Sequence, residues 1–171
     1  MTLRGSIWFY GPMLPEGQGQ LEAKVTALFG QLDSAHEKEH TGLDLAKQQG
    51  ERWLHLIPGT VRFVSVPSNI PGTWGNVFGY STIVDADPEP ASAGGLCILY
   101  AHMSHVPTYP VGARVEVGNT AGFIGQTGQA QGPHMHIGLA RRADNPWFQR
   151  DPQGGLSLLL DPLAFLDTLK G

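Results

Sequence analysis

Four histidines and one aspartate lie in three short segments of this 171-residue chain. His40 and Asp44 lie in the first segment, His102 in the second, and His134 and His136 in the third. In an extended strand alternate side chains share a face, so His134 and His136 would point the same way. Two imidazoles side by side can bind one metal ion such as zinc, or one can bind it while the other moves protons. The three segments together indicate a divided metal site.

The spacing of His40 and Asp44 supports this interpretation whatever the local structure. Residues i and i+4 share a face in a helix and also in a strand, and Gly42 between them argues against a regular helix. Each pattern also has a simpler explanation. The spacing of His40 and Asp44 can arise by chance, and two histidines can lie half-exposed on an ordinary strand. The prediction therefore depends on the conjunction of the three segments. The other histidines, His36, His55 and His105, are interpreted as ordinary surface or core residues.

The composition predicts a turn-rich, mainly β chain. Gly 23 and Pro 13 make up about 21% of the 171 residues, against roughly 12% in average proteins. The formal charge is −4 and the basic residues are scattered, which argues against nucleic-acid binding. With Cys97 as its only cysteine, the chain cannot form an internal disulfide. Cys97 is expected to be an inert buried thiol.

No targeting or membrane-spanning segment is expected from the sequence. No apolar stretch approaches the roughly 18 residues of a membrane span. Residues 1–10 contain one arginine and a short mixed apolar piece, without the apolar region and cleavage site of a secretion signal.

Short strands and turns must position the candidate site. Alternation, β-branched content and Pro/Gly breaks predict strands at 6–10, 53–57, 60–66, 76–85 and 96–102, with 53–57 and 60–66 forming a hairpin around Pro58-Gly59. Asp161 as N-cap and Pro162 at the first helical position predict a short helix through Leu169. Apolar residues at helical spacing predict a second helix over 17–38; they are Leu21, Val25, Leu28, Phe29 and Leu32.

The order of the motifs resembles the lysostaphin-type zinc metallopeptidases, a family of peptidoglycan endopeptidases. The chain has His-x-x-x-Asp at 40–44, Tyr-x-His-x-Ser at 100–104 and Gly-Pro-His-x-His at 132–136. Similar residues also stand at 59–61, 111–118, 124–128 and 161–162, so the resemblance extends over roughly 25–166.

The resemblance implies a role for each residue of the candidate site. His40, Asp44 and His136 correspond to zinc ligands, and His102 and His134 to the catalytic histidines. Zinc would activate a water molecule, and the two histidines would handle its proton and the developing charge. The implied fold is a single antiparallel β domain with a loop-walled groove and few short helices. We expect residues 1–24 to pack on a peptidase domain at 25–171, and the resemblance would make 25–30 extended rather than helical.

The implied function is zinc-dependent hydrolysis of peptide bonds in bacterial peptidoglycan stems or cross-bridges. The loops 67–75 and 106–110, with Trp74 and Tyr109, are candidate groove walls. Two alternatives are a catalytically silent peptidoglycan-binding or hydrolase-activating domain of the same fold, and a zinc hydrolase of another substrate. The sequence leaves open whether a Gly-Gly bond or a D-amino-acid cross-link is cut, the oligomeric state, and the route to the wall, for which a phage lysin is one possibility.

Overall fold

The computed structural model describes residues 7–13, 20–32, 38–87 and 95–169. In these residues the chain forms ten strands and two short helices. The strands are β1 (Ile7–Met13), β2 (Gln20–Ala27), β3 (Leu43–Ala46), β4 (Arg52–Leu54), β5 (Gly59–Ser65), β6 (Tyr80–Ala86), β7 (Leu96–Met103), β8 (Arg114–Val115), β9 (Thr120–Phe123) and β10 (His134–Arg141). The helices are α1 (Trp74–Phe78) and α2 (Pro162–Thr168).

Eight strands form one sheet in the order β1-β2-β3-β10-β7-β6-β5-β8, and β4 pairs with β9 in a second, smaller sheet. All of these pairs are antiparallel. The prediction of a mainly β, antiparallel single domain with few short helices is therefore confirmed. Strands β3, β10 and β7, which carry most of the candidate site residues, are neighbours in the middle of the sheet.

Apolar side chains cover both faces of the central strand β7. All eight of its residues are buried. Ile98 and Tyr100 join the larger apolar cluster between the two sheets, whereas Cys97 and Leu99 join a second cluster on the opposite face. A strand that is buried on both sides reads as a continuous apolar run, which explains why 96–102 was recognisable from sequence. Burial raises the pKa of the Cys97 thiol to about 11, as expected for an inert thiol.

The prediction of a helix over 17–38 is wrong, because Gln20–Ala27 forms strand β2. Burial alternates along it: Leu21, Ala23 and Val25 are buried, and the residues between them are exposed. Leu21 and Val25 are four residues apart, and this spacing places side chains on one face in a strand as well as in a helix. The pairing of β2 with β1 and β3 decides between the two. The extended backbone implied for 25–30 holds through Ala27, after which Phe29 and Gly30 form a turn.

Two further strand predictions need correction. Strands β4 and β5 form no hairpin, since β4 pairs with β9 whereas β5 pairs with β6 and β8. The link between them, with Leu56 and Ile57 fully buried, carries the chain from the small sheet to the large one. The strand predicted at 76–85 begins at Tyr80, because residues up to Phe78 belong to α1.

The predictions near the chain ends have different outcomes. Helix α2 begins as expected, with the Asp161 carboxylate accepting hydrogen bonds from the backbone N–H groups of Leu163 and Ala164 and with Pro162 in its first turn. The strand predicted at 6–10 is part of β1 from Ile7 onward, and Ser6 lies outside the described residues. The division between 1–24 and 25–171 falls within β2 and stays a prediction. No helix in the described parts of the chain is long and apolar enough to cross a membrane.

Of the remaining histidines that the structure describes, His55 is the one buried in the core. Its ring makes edge contacts with Tyr100 and Tyr109, at centroid distances of 5.5 and 5.9 Å. Burial lowers the pKa of His55 to about 4, and its Nδ1 atom has no hydrogen-bond partner among the described residues. His105 is exposed beside the Ser104 hydroxyl, and His36 lies outside the described residues. His55 is therefore a buried neutral imidazole.

Replacing His55 with Gln should reduce the acid sensitivity of the fold. The pKa of about 4 in the folded chain lies below the usual value of about 6.5 for an unfolded one. The unfolded state therefore binds more protons between these values, and stability falls as the pH falls. From pH 7 to pH 5 the wild type should lose about 2 kcal/mol more than His55→Gln. Urea unfolding of both proteins in chelator measures this difference; equal losses would refute it.

Candidate active site

Strand pairing brings the first and third sequence segments together. Strand β10 lies beside β3 with His136 opposite Asp44 and His134 opposite Ala46. Directly opposite residues in a sheet point to the same face. His134, His136 and Asp44 therefore project on one face, and His40 approaches from the segment that precedes β3.

Gly42 allows that segment to lie against β10. A Cβ atom at this position would stand 2.1 Å from the Ile137 carbonyl oxygen and 2.8 Å from Cε1 of His136. Any side chain here would push the His40 segment away from the sheet. The glycine that argued against a helix in the sequence is thus required by the close approach of two backbones.

Three side-chain donors converge on one point. Oδ1 of Asp44 lies 3.1 Å from Nε2 of His40 and 2.8 Å from Nδ1 of His136, and the two imidazole nitrogens are 3.2 Å apart. Donor atoms bound to one tetrahedral zinc at about 2.0–2.1 Å stand about 3.3 Å apart. Two imidazoles and a carboxylate are also a donor set that zinc accepts. The three residues fit a single zinc ion, and they are the group of described residues that could hold a metal.

A backbone hydrogen bond orients His40, and the surroundings of Asp44 keep its carboxylate ionised, so both can bind a cation. Nδ1 of His40 donates to the Leu28 carbonyl oxygen at 3.1 Å, which leaves the lone pair on Nε2 facing Asp44 and His136. Burial alone would raise the pKa of Asp44. The adjacent His136 and His40 imidazoles outweigh burial and hold that pKa well below its usual range. Asp44 is therefore an anionic acceptor within a buried pair of histidines.

A β-bulge turns His102 toward the same point. Relative to β6, strand β7 has one extra residue at Ala101-His102, and His102 has a φ of 65°. Strict alternation after Ile98 and Tyr100 would direct His102 into the larger apolar cluster. Instead its ring centroid lies 4.9 Å from that of His134. Bulges often re-aim a side chain beside an active site, and here one does so at the cost of a strained backbone.

The strain at His102 predicts an unusual ranking of variants. Glycine inside a strand normally lowers stability by roughly 0.5–1 kcal/mol relative to alanine. A positive φ costs L-residues roughly 1–2 kcal/mol, so His102→Gly should be more stable than His102→Ala by about 1 kcal/mol. Urea unfolding in chelator gives the difference. The same pair of substitutions at His136, which lies in regular strand β10, should show the usual order, with alanine more stable.

His102 and His134 present the same ring nitrogen to the site. Nδ1 of His102 donates to the Thr127 carbonyl oxygen and Nδ1 of His134 to that of Gly132, each at 2.8 Å. Both Nε2 atoms are thereby left as acceptors. Nε2 of His134 lies 3.6 Å from Oδ2 of Asp44. Burial, followed by the neighbouring His136 and His134, lowers the pKa of His102 to about 3, so this imidazole is neutral at neutral pH.

The five residues form the floor of a cleft. Its walls come from the end of β2, from α1 and from the loop before β10; they are Thr26, Ala27, Thr41, Ala46, Val77, Phe78 and residues 128–133. The Phe78 ring lies 6.3 Å from that of His102 and 6.0 Å from that of His136. Trp74 and Tyr109, expected as wall residues, do not line the described cleft, because Trp74 packs on Phe63 and Phe78 and Tyr109 packs against His55.

The structure thus assembles all five residues that the sequence singled out. It also adds Phe78, which no motif marked, and Thr127, which lies in the segment 124–128 that contributed to the family resemblance but was given no role. Every residue has a backbone carbonyl oxygen, so a hydrogen bond to that atom cannot be recognised from the residue type. The partners of Nδ1 in His40, His102 and His134 are all backbone carbonyls, which the residue types of the sequence cannot reveal.

Comparison with solved structures shows the same fold in several peptidases. The catalytic domain of the antimicrobial peptidase lysostaphin from Staphylococcus simulans matches with a TM-score of 0.65 and 20% identity, over 85% of this chain and 92% of that domain. A point mutant of the catalytic domain of the prophage-encoded M23 protein EnpA from Enterococcus faecalis matches at 0.59 and 22%, over 89% and 94%. A zinc-containing peptidase from Vibrio cholerae matches at 0.56 and 17%, over 78% of this chain and 37% of that one.

A family model gives the assignment directly. Residues 38–147, more than half of the chain, match the model of peptidase family M23. The matched range contains all five residues at the cleft floor. Together with the lysostaphin-like fold, the match confirms the resemblance inferred from the three motifs. The chain belongs to peptidase family M23 and is a metallopeptidase.

Proposed function

We propose that this chain is a zinc-dependent endopeptidase that hydrolyses peptide bonds of bacterial peptidoglycan. The observation that carries the proposal is the convergence of three metal donors and two further imidazoles at the floor of one open cleft. A purely structural zinc site has four protein ligands, whereas three leave a position for water or substrate. His40, Asp44 and His136 supply three.

The five residues divide into holding and reacting groups. His40, Asp44 and His136 would hold zinc, which supplies Lewis-acid chemistry and makes water a nucleophile at neutral pH. We assign His102 and His134 to the reacting group, because the donor atoms close enough together to share one ion come from His40, Asp44 and His136. Separate holding and reacting groups are what metal-assisted hydrolysis requires.

The two cleft histidines would carry the proton transfers. One Nε2 atom accepts the proton of the attacking water. The other, once protonated, stabilises the negative charge that develops on the peptide oxygen or gives a proton to the leaving amine. The rings are close enough to act on one reacting group, at a centroid distance of 4.9 Å. Their fixed Nδ1 bonds hold both in the tautomer needed to accept a proton at Nε2.

The lining of the cleft bears on which bond is cut. Among the described residues, the ionisable groups in the lining are the five at its floor, and the walls are mostly glycine, alanine, threonine and glutamine. A peptide segment with free carboxylates would need basic partners when it is buried. The neutral walls favour a segment with small, uncharged side chains, such as a short cross-bridge, over a stem residue with a free carboxylate.

Digestion of purified cell walls tests the function. The zinc-loaded protein should release soluble fragments from peptidoglycan, and a chelator should stop the release until zinc is restored. Walls with neutral glycine- or alanine-type bridges and walls with direct cross-links through a carboxylate-bearing residue should be compared. Mass spectrometry of the fragments identifies the bond. A protein that binds zinc stoichiometrically and digests neither wall alone would be a binding or activating domain instead.

A further inference from the structure

Thr127 contacts both sides of the bulge at His102. It lies in the loop between β9 and β10, 25 residues beyond His102. Its hydroxyl donates to the Met103 carbonyl oxygen at 2.6 Å and accepts from the Tyr80 backbone N–H at 3.0 Å. Its carbonyl oxygen accepts from Nδ1 of His102 at 2.8 Å. All three polar contacts of this residue therefore end at the bulge.

The hydroxyl bridges the two strands beside the bulge. Tyr80 and Met103 are register partners on β6 and β7, and the bulge begins immediately beside them. An extra residue in one strand disrupts the ladder locally and leaves backbone groups without strand partners. One hydroxyl can donate once and accept from another group. The Thr127 hydroxyl uses both capacities to join the two strands.

Thr127 is also held tightly from the opposite side. Gly79 has a φ of 63°, and a Cβ atom there would stand 2.2 Å from Oγ1 of Thr127. The residue at 79 therefore has to be glycine both for its backbone conformation and for this contact. The position of the Thr127 hydroxyl, and with it the carbonyl that holds His102, is fixed by its neighbours.

We propose that Thr127 is the positioning residue of His102: its hydroxyl maintains the bulge, and its carbonyl fixes the His102 ring with the proton on Nδ1. The inference rests on the proposed function for its catalytic consequence. A histidine with the wrong tautomer or orientation cannot accept a proton at the nitrogen that faces the substrate. Among the described residues Thr127 is neither a candidate metal donor nor part of the cleft lining, so it acts through His102.

The test compares Thr127→Val with Thr127→Ser. Valine keeps the shape and removes the hydroxyl, and serine keeps the hydroxyl. We expect Thr127→Val to bind zinc as the wild type does and to lose roughly 10–100-fold in kcat, with KM changed by less than about threefold. Thr127→Ser should remain within about threefold of the wild type. Thr82→Val is the matched control, because Thr82 is a buried residue of β6 on the other flank of the bulge, and its hydroxyl bonds the Phe63 carbonyl oxygen at 3.2 Å rather than a group of β7.

A second readout does not depend on activity. Nitrogen-15 NMR of the zinc-loaded protein, with the His102 signal assigned through His102→Gln, reports which ring nitrogen carries the proton. The wild type, Thr127→Ser and Thr82→Val should show the proton on Nδ1. Thr127→Val should show a second tautomer or exchange. If Thr127→Val does not fold, Thr127→Ala at reduced temperature replaces it.

The outcomes separate the two proposals. An unchanged His102 tautomer in folded Thr127→Val, or a loss of kcat equal to that of Thr82→Val, would overturn the positioning role. A wild type that digests no wall would defeat the proposed function. In that case the NMR comparison still decides whether Thr127 holds His102.

Discussion

Replacing Asp44 with Asn should remove zinc from the protein and, with it, the peptidase activity. The substitution keeps the shape of the side chain and deletes its charge. Oδ1 of Asp44 lies within 3.1 Å of both candidate imidazole donors, so this carboxylate is the negative charge at the centre of the three. We expect zinc affinity to fall at least about 1,000-fold, or about 4 kcal/mol. Metal analysis after dialysis and competition with a chromogenic chelator measure the loss.

Asp85→Asn is the matched control for this prediction. Asp85 lies on β6, its side chain is buried to a similar extent, and it pairs with Arg62 at 2.8 Å. The control should keep one zinc per chain and its peptidase activity. Stoichiometric zinc in Asp44→Asn would show that Asp44 is not a ligand, and it would break the proposed three-donor site.

Replacing either His102 or His134 with Ala should leave zinc bound and stop turnover. Positioned proton transfer contributes roughly 100- to 10,000-fold to such reactions, so kcat should fall by about that factor in each variant. The His102 ring is held by its hydrogen bond to the Thr127 carbonyl oxygen rather than by the three candidate donors. Removing the His102 side chain should therefore leave zinc affinity unchanged. Nε2 of His134 lies 3.6 Å from Oδ2 of Asp44, so this variant should weaken zinc binding by less than about tenfold. Single-turnover digestion and metal analysis give the two quantities.

His105→Ala is the control for the two catalytic variants. His105 is exposed and contacts the Ser104 hydroxyl, three residues beyond His102. Its removal should change neither zinc content nor turnover. A His134→Ala protein that lacks zinc would move His134 into the metal-binding group and invalidate the division of roles.

Local patterns in the sequence were sufficient for several features of this protein. Strand alternation placed His134 and His136 on one face, and the four-residue spacing placed His40 and Asp44 together in either local conformation. The apolar run at 96–101 indicated the strand predicted at 96–102, which is β7. Asp161 and Pro162 marked the start of α2. Each of these features depends on the backbone of a few consecutive residues, so the residue types alone carry the signal.

Such local patterns do not predict which distant strands pair with each other. The spacing of Leu21 and Val25 suits a helix and a strand equally, and β2 is a strand because β1 and β3 flank it. The Pro58-Gly59 turn is compatible with a hairpin, yet β4 and β5 pair with different strands. Backbone hydrogen bonds between strands have the same chemistry whatever the sequence. Their choice of partner follows from burial across the whole sheet.

The sequence by itself determined which five side chains are the candidates for the chemistry, because imidazoles and a carboxylate at these spacings have few other uses together. Only the tertiary structure decided how His102 joins them. Regular alternation would turn His102 into the apolar cluster, and the bulge with its positive φ turns it toward His134. That bulge is bridged by Thr127, from a loop 25 residues away. Contacts between segments so far apart depend on the folded arrangement of the whole sheet, and no local pattern encodes them.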